Sequence, residues 1–153
     1  MSEGKRPGGL TALAVLNFIG GGLSILGLLV MFGTMALLNA IEGNAEVDEA
    51  KRAMAKAWEQ IGVGVFYAML ALSAVTAILL ILSGIGYLRQ KKFLGRTLGN
   101  VYAVLSIGSS LVTGMVITTQ AGGGFNIGTI LGLIYPVLTL ILLNGTFKED
   151  FVP

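Results

Sequence analysis

Residues able to do chemistry are few in this chain and lie in a handful of places. Four of its ten Lys and Arg residues, Arg89, Lys91, Lys92 and Arg96, fall within the stretch GIGYLRQKKFLGRTLGNVYAV, Gly84 to Val104. A basic cluster of this kind suits an acidic ligand, and it also suits the end of an apolar segment that must stay in water. The other ionisable run is NAEVDEAKRAMAKAWEQ, Asn44 to Gln60, and neither run pairs a nucleophile with a general base. The chain has no Cys and no His, which removes disulfides, thiolate and imidazole metal sites, Cys nucleophiles and His-based triads together. Its GGG and GIG stretches lie in apolar runs without the strand and helix that frame a phosphate loop. The expectation is a protein that is not an enzyme, with no catalytic residue, cofactor or metal site.

The segments that hold these residues are unusually apolar. The 153 residues are 54% hydrophobic and 12% charged, where a soluble domain is roughly 25% charged. Uncharged runs extend over Leu10–Ile41, Ile61–Leu88 and Thr97–Phe147, and about 20 residues suffice to cross a bilayer core. The third run is long enough for two crossings and is broken by QAGGGFN, Gln120 to Asn126, a turn signal. The spans are therefore placed at about 10–38, 61–88, 97–119 and 127–144. Backbone groups in lipid need internal partners, which makes these segments helices. The fold expected is all-α, a single integral membrane four-helix bundle of two helical hairpins over residues 1–153.

Lys and Arg beside the spans set direction, because they are retained on the cytoplasmic side. With the N-terminus inside, Lys5, Arg6, Arg89, Lys91, Lys92, Arg96 and Lys148 lie inside, against Lys51, Arg52 and Lys56 outside. Both termini are expected in the cytoplasm. The first apolar run is much longer than the roughly 7–15 residues of a signal-peptide core, which favours an anchor over cleavage after Ala45. The net charge of +2 sits beside apolar segments rather than on an aromatic-studded polar surface, which argues against nucleic acid.

Between the first two spans, Val47, Ala50, Met54, Trp58 and Ile61 recur at steps of three and four, a helical spacing. Asn44 suits the N-cap, and Glu46, Asp48 and Glu49 suit the positive end of the helix dipole. Residues 44–60 are thus expected to form a short amphipathic helix outside the membrane. Its apolar face either rests on the bilayer, with Trp58 as an interfacial anchor, or docks a partner through Val47, Met54 and Trp58.

Small residues supply the packing faces. Gly124, Gly128 and Gly132 recur every four positions along the fourth span, and Ser106, Ser110, Gly114 and Thr118 do so along the third. In lipid, small residues permit the close backbone approach that replaces the hydrophobic drive, so these two helices are expected to pack on each other; another copy or another protein is the alternative. Asn17 is the main polar group of the first span and is expected to bond to a neighbouring helix. Pro136 should kink the fourth span, with Gly132 relieving the clash one turn earlier. A short echo between AVLNFIGGGLS, Ala14 to Ser24, and AVLSIGSSLVTG, Ala103 to Gly114, suggests two parallel hairpins.

The segments RPGGLTALAVLNFIGGGLSILG, Arg6 to Gly27, and LSGIGYLRQKKFLGRTLGNVYAVLSI, Leu82 to Ile107, carry an Arg-Pro-x-Gly-x-Thr opening and a Gly-Ile-Gly, basic, Gly-Arg turn. Together these resemble a pattern in small uncharacterised prokaryotic four-transmembrane-helix proteins. The resemblance covers about half the chain and implies a fold, a topology and a prokaryotic inner-membrane location, with no reaction attached.

Charged residues within spans mark proton relays and ion paths, and these spans contain none. The function expected is an accessory or interaction subunit acting through helix packing and an outer docking face, with the lipid bilayer and a membrane-protein partner or second copy as its associates. A small oligomeric channel or transporter-like protein, with Ser106, Ser110, Thr113 and Thr118 lining a path, is the rival. A third reading is a lipid-interacting protein that uses Arg89, Lys91, Lys92 and Arg96.

Overall fold

A computed structural model describes residues 7–41, 43–121 and 127–152. Five α-helices account for most of them: α1 (Gly8–Ala40), α2 (Ala45–Ile61), α3 (Val63–Leu88), α4 (Leu98–Ala121) and α5 (Ile127–Ile141). Among the described residues extended pairing is limited to one parallel bridge, between Lys91 and Val152. Two helices, α1 and α3, are long and apolar enough to cross a membrane, and α5 with the turn that follows it forms a shorter apolar helix. The turn at Gln120–Asn126 falls mainly outside the described residues.

The helix boundaries follow local chemistry. The side chain of Asn44 caps α2, its Oδ1 accepting from the backbone N–H of Glu46 at 3.0 Å and of Val47 at 3.4 Å. Lys51 Nζ reaches back to the carbonyl of Ile41 at 3.0 Å, satisfying an acceptor left over just past α1. Gly62 joins α2 to α3 with φ +84°, a left-handed geometry natural to glycine. In α5, Pro136 cannot donate to the carbonyl one turn earlier, and residue 132 there is a glycine.

The turn from α3 to α4 is tighter than a flexible loop. Gln90 adopts φ +50°, the Lys91 N–H bonds to the Gly86 carbonyl at 3.0 Å, and residues Lys92–Thr97 form a wide π-helical turn that runs into α4. The helical path toward α4 thus begins at Lys92, five residues before the span boundary read from charge. The C-terminal tail closes over this turn: Lys92 N–H donates to Val152 O and Val152 N–H to Gln90 O, both at 2.8 Å.

Packing places α1 against α3, α3 against α4, and α4 against α5. At the end that holds both termini the set closes, because Leu10, Leu13 and Ala14 of α1 share one core with Tyr87, Leu143, Phe147 and Phe151. Glycines admit the close approaches there. A Cβ on Gly86 would overlap the backbone of Leu94 and Gly95, one on Gly95 would lie 2.5 Å from the Phe151 ring, and one on Gly21 would lie 2.8 Å from Ile81. Gly22, Gly27 and Gly33 of α1 instead have open space where a Cβ would be, while Met31 and Met35 of α1 share a cleft with Met54 of α2 and Phe66 of α3 toward the opposite end.

The two classes of glycine should respond differently to substitution. Gly86→Ala is expected to lower stability by at least about 3 kcal/mol, the upper range of overpacking costs, because backbone must move. Gly22→Ala should be neutral or slightly stabilising through helix propensity. Thermal unfolding of the purified variants, followed by circular dichroism, separates the two; equal midpoints would contradict the close contact at Gly86.

Candidate functional site

The polar residues of the interior gather at the closed end. Asn17, Ser83 and Thr139 are fully buried at 0% exposure, on α1, α3 and α5. Each is driven to find a partner, because an unpaired polar group away from water is costly. Asn17 Nδ2 donates to Ser83 Oγ at 2.7 Å, and Ser83 Oγ donates on to the carbonyl of Leu80 at 3.1 Å. The Tyr135 hydroxyl, from α5, donates to Asn17 Oδ1 and lies 3.5 Å from the carbonyl of Leu13. Thr139 Oγ1 bonds to the Tyr135 carbonyl at 2.8 Å. One amide on α1 therefore ties α1, α3 and α5 together.

Three tyrosines surround this knot. The rings of Tyr102 and Tyr135 lie 6.3 Å apart and tilted by 53°, and those of Tyr87 and Phe151 lie 6.2 Å apart. The Tyr87 hydroxyl is buried and hydrogen-bonds to no described residue, although Ser83 and Asn17 lie close enough to act on it. It points at Gly99, where a Cβ would collide with it. The members of the knot are neutral amides and hydroxyls, an arrangement suited to cross-linking helices; it offers no activated nucleophile. Among the described residues no group of three or more His, Asp or Glu is placed to hold a metal.

At the rim of the same end lies a basic collar. Arg89, Lys91 and Lys92 are exposed, whereas Arg96 is half-buried. Arg96 Nη2 donates to Asn144 Oδ1 at 3.3 Å, and Asn100 and Asn144 exchange amide bonds at 3.2 and 2.9 Å. These bonds hold the start of α4 to the turn after α5.

The other residues singled out in the sequence are distributed as follows. Ser110 faces Gly132 across α4 and α5, with 3.7 Å between its Oγ and the place of a Cβ on Gly132. Ser106 is half-buried and its carbonyl accepts from Ser109, while Gly114 is buried. Gly124 lies outside the described residues, as do the surroundings of Gly128 and the side chain of Trp58. Val47 and Met54 are half-buried. Met54 turns toward α1, sharing a cleft of about 200 Å³ with Met35, Leu38 and Lys51.

Sequence reasoning singled out Asn17 and missed the groups it meets. Ser83, Tyr135 and Thr139 look like isolated polar residues in apolar runs, and their pairing depends on an antiparallel register that places residue 17 beside residue 83. Asn100 and Asn144 sit near span ends, where polar residues are ordinary. Comparison of the chain with protein-family models, with curated proteins and with solved structures gives no match.

The knot makes a sharp contrast between two tyrosines. Tyr135→Phe is expected to lose about 0.5–2 kcal/mol, the range for interhelical hydrogen bonds in membrane proteins. Tyr87→Phe should cost less than Tyr135→Phe, since the buried Tyr87 hydroxyl has Ser83 and Asn17 nearby but no well-aligned bond to either. Unfolding midpoints in one detergent decide it, and a large loss for Tyr87→Phe would mean its hydroxyl is engaged.

Proposed function

We propose that the chain is an integral membrane protein of four spans, formed by α1, α3, α4 and α5, with both termini cytoplasmic, and that it serves as a non-enzymatic accessory subunit. The observation that carries the membrane reading is where the apolar surface lies. The most apolar 18-residue windows of α1 and α3 are only 22% and 11% buried, the reverse of core helices in a soluble protein. Leu23 and Leu29 are each 63% exposed. Contiguous apolar surface on this scale calls for a non-aqueous neighbour. The α4 segment carries no charge over its length, and α5 with its continuation to Thr146 is apolar; together they complete a second hairpin.

The accessory role rests on the buried polar groups and on one surface cleft. The groups that join α1, α3 and α5 bond to one another, an arrangement that ties helices together. The cleft lined by Met35, Leu38 and Met54, together with Asn39 and Lys51, offers apolar contact beside polar groups, the anatomy of a protein interface. Met side chains adapt to varied partners.

Topology is directly testable because the chain has no cysteine of its own. A single Cys at Ala53 should react with a membrane-impermeant maleimide in intact cells, and one at Gly145 only after lysis. The opposite pattern would invert the proposed orientation. Gentle detergent extraction of the tagged full chain should recover a partner at fixed stoichiometry that Met54→Glu releases. A lone monomer in native mass spectrometry would sink the accessory role.

A further inference from the structure

The methionines of the chain are unevenly placed. Beyond Met1 they are Met31, Met35, Met54, Met69 and Met115, and the first three of these line one cleft of about 280 Å³, together with Thr34 and Phe66. Met31 and Met35 stand one turn apart on the same face of α1, and Met54 reaches the cleft from α2. Met35 and Met54 also line the adjoining cleft, with Leu38 and Asn39. A methionine that only fills a gap leaves none behind. Here three half-buried thioethers surround space that stays open. We propose that Met31, Met35 and Met54 form a site for one copper(I) ion, bound through their three thioether sulfurs. The site needs only α1, α2 and α3 as folded, and it depends on neither the orientation nor the partner proposed above.

Ligand chemistry selects the ion. Thioethers are soft donors suited to copper(I), whereas carboxylate, carbonyl and water ligands suit magnesium, calcium and manganese. The chain has no Cys and no His, so methionine is its only soft ligand. Three neutral donors around a monovalent ion leave a single positive charge to accommodate. Thiolate and imidazole ligands must shed protons before they bind a metal, and a thioether has none to shed. The side chains can also adapt, because methionine is unbranched with three rotatable bonds. Sulfurs on the walls of one open cleft can therefore turn inward onto a common centre.

The surroundings favour a cation. Glu42, Glu46, Asp48, Glu49 and Glu59 face Lys51, Arg52 and Lys56 within residues 42–60, a net charge of −2 in a chain whose total is +2. Such an asymmetry raises the local concentration of cations. Lys51 lines the adjoining cleft, and its ammonium is engaged by the carbonyl of Ile41 at 3.0 Å. Phe66, from α3, supplies an aromatic wall, a surface that attracts a nearby cation.

The test uses the purified full chain and copper(I) kept reduced with ascorbate, in competition with the chromogenic chelator bicinchoninate. One copper(I) per chain should be withdrawn from the chelator, and X-ray absorption at the copper edge should show sulfur neighbours. Zinc(II) should not displace it. Met35→Leu and Met54→Leu are volume-conserving swaps that packing tolerates. Each should weaken retention at least about tenfold, the lesser effect of removing even an outer partner of a metal ligand. Replacing all three residues by Leu should abolish retention while the melting temperature is kept. Met69→Leu and Met115→Leu should bind copper(I) as the parent chain does. The absorption spectrum of the parent tests the site even where a variant folds poorly. Failure to withdraw copper(I), a shell of oxygen and nitrogen neighbours, displacement by zinc(II), retention that survives the triple replacement, or an equal loss in Met69→Leu would each overturn the proposal.

Discussion

The arrangement depends on one close approach, the backbone of α3 at Gly86 against the backbone at Leu94 and Gly95. Helix axes normally lie 8–10 Å apart, set by the side chains between them; here no side chain intervenes. That contact forces the chain to reverse within a few residues, which explains the left-handed Gln90 and the wide helical turn at Lys92–Thr97. It also leaves a ledge on which the tail sits, with Phe151 against Gly95 and Val152 bonded to Gln90 and Lys92. The start of α4, the end of α5 and the C-terminus are all positioned from this one point.

The polar knot acts one layer further in. In a largely apolar interior a buried amide without partners is strongly disfavoured, so Asn17 accepts only helix registers that offer it Ser83 on one side and Tyr135 on the other. Apolar contacts are permissive, because Leu against Leu survives a slip of one turn. The Asn17 contacts do not survive it. The glycine contacts provide proximity and the knot provides register, and both devices occupy the same end of the molecule.

The helix boundaries were legible because charge and apolar length are read residue by residue. Residues 61–88 were placed as one helix and α3 occupies 63–88; residues 44–60 were read as amphipathic and α2 covers 45–61. The N-cap at Asn44 was equally local. What could not be read is whatever joins distant positions. The approach of Gly86 to Gly95 is such a case, because nothing in one sequence says that their backbones touch. The bonds of Asn144 to Asn100 and Arg96 depend on the turn between α4 and α5 bringing the two helices into register. Most informative is the asymmetry among glycines: Gly21 and Gly22 are adjacent and chemically identical, yet one meets Ile81 and the other meets nothing, a difference set by helix rotation.

That asymmetry bears on where the apolar surface lies. Gly22 is on the outward face of α1, the face that also carries Leu23, Leu26 and Leu29 at 56–63% exposure. In water the exposed Leu23, Leu26 and Leu29 would drive collapse or aggregation, since burying each such side chain is favourable by roughly 1.5–3 kcal/mol. In a bilayer that drive would disappear, because lipid chains solvate leucine as well as another helix does. Apolar surface of this extent on α1 and α3 is favourable only against apolar surroundings, which is the physical argument for the membrane reading.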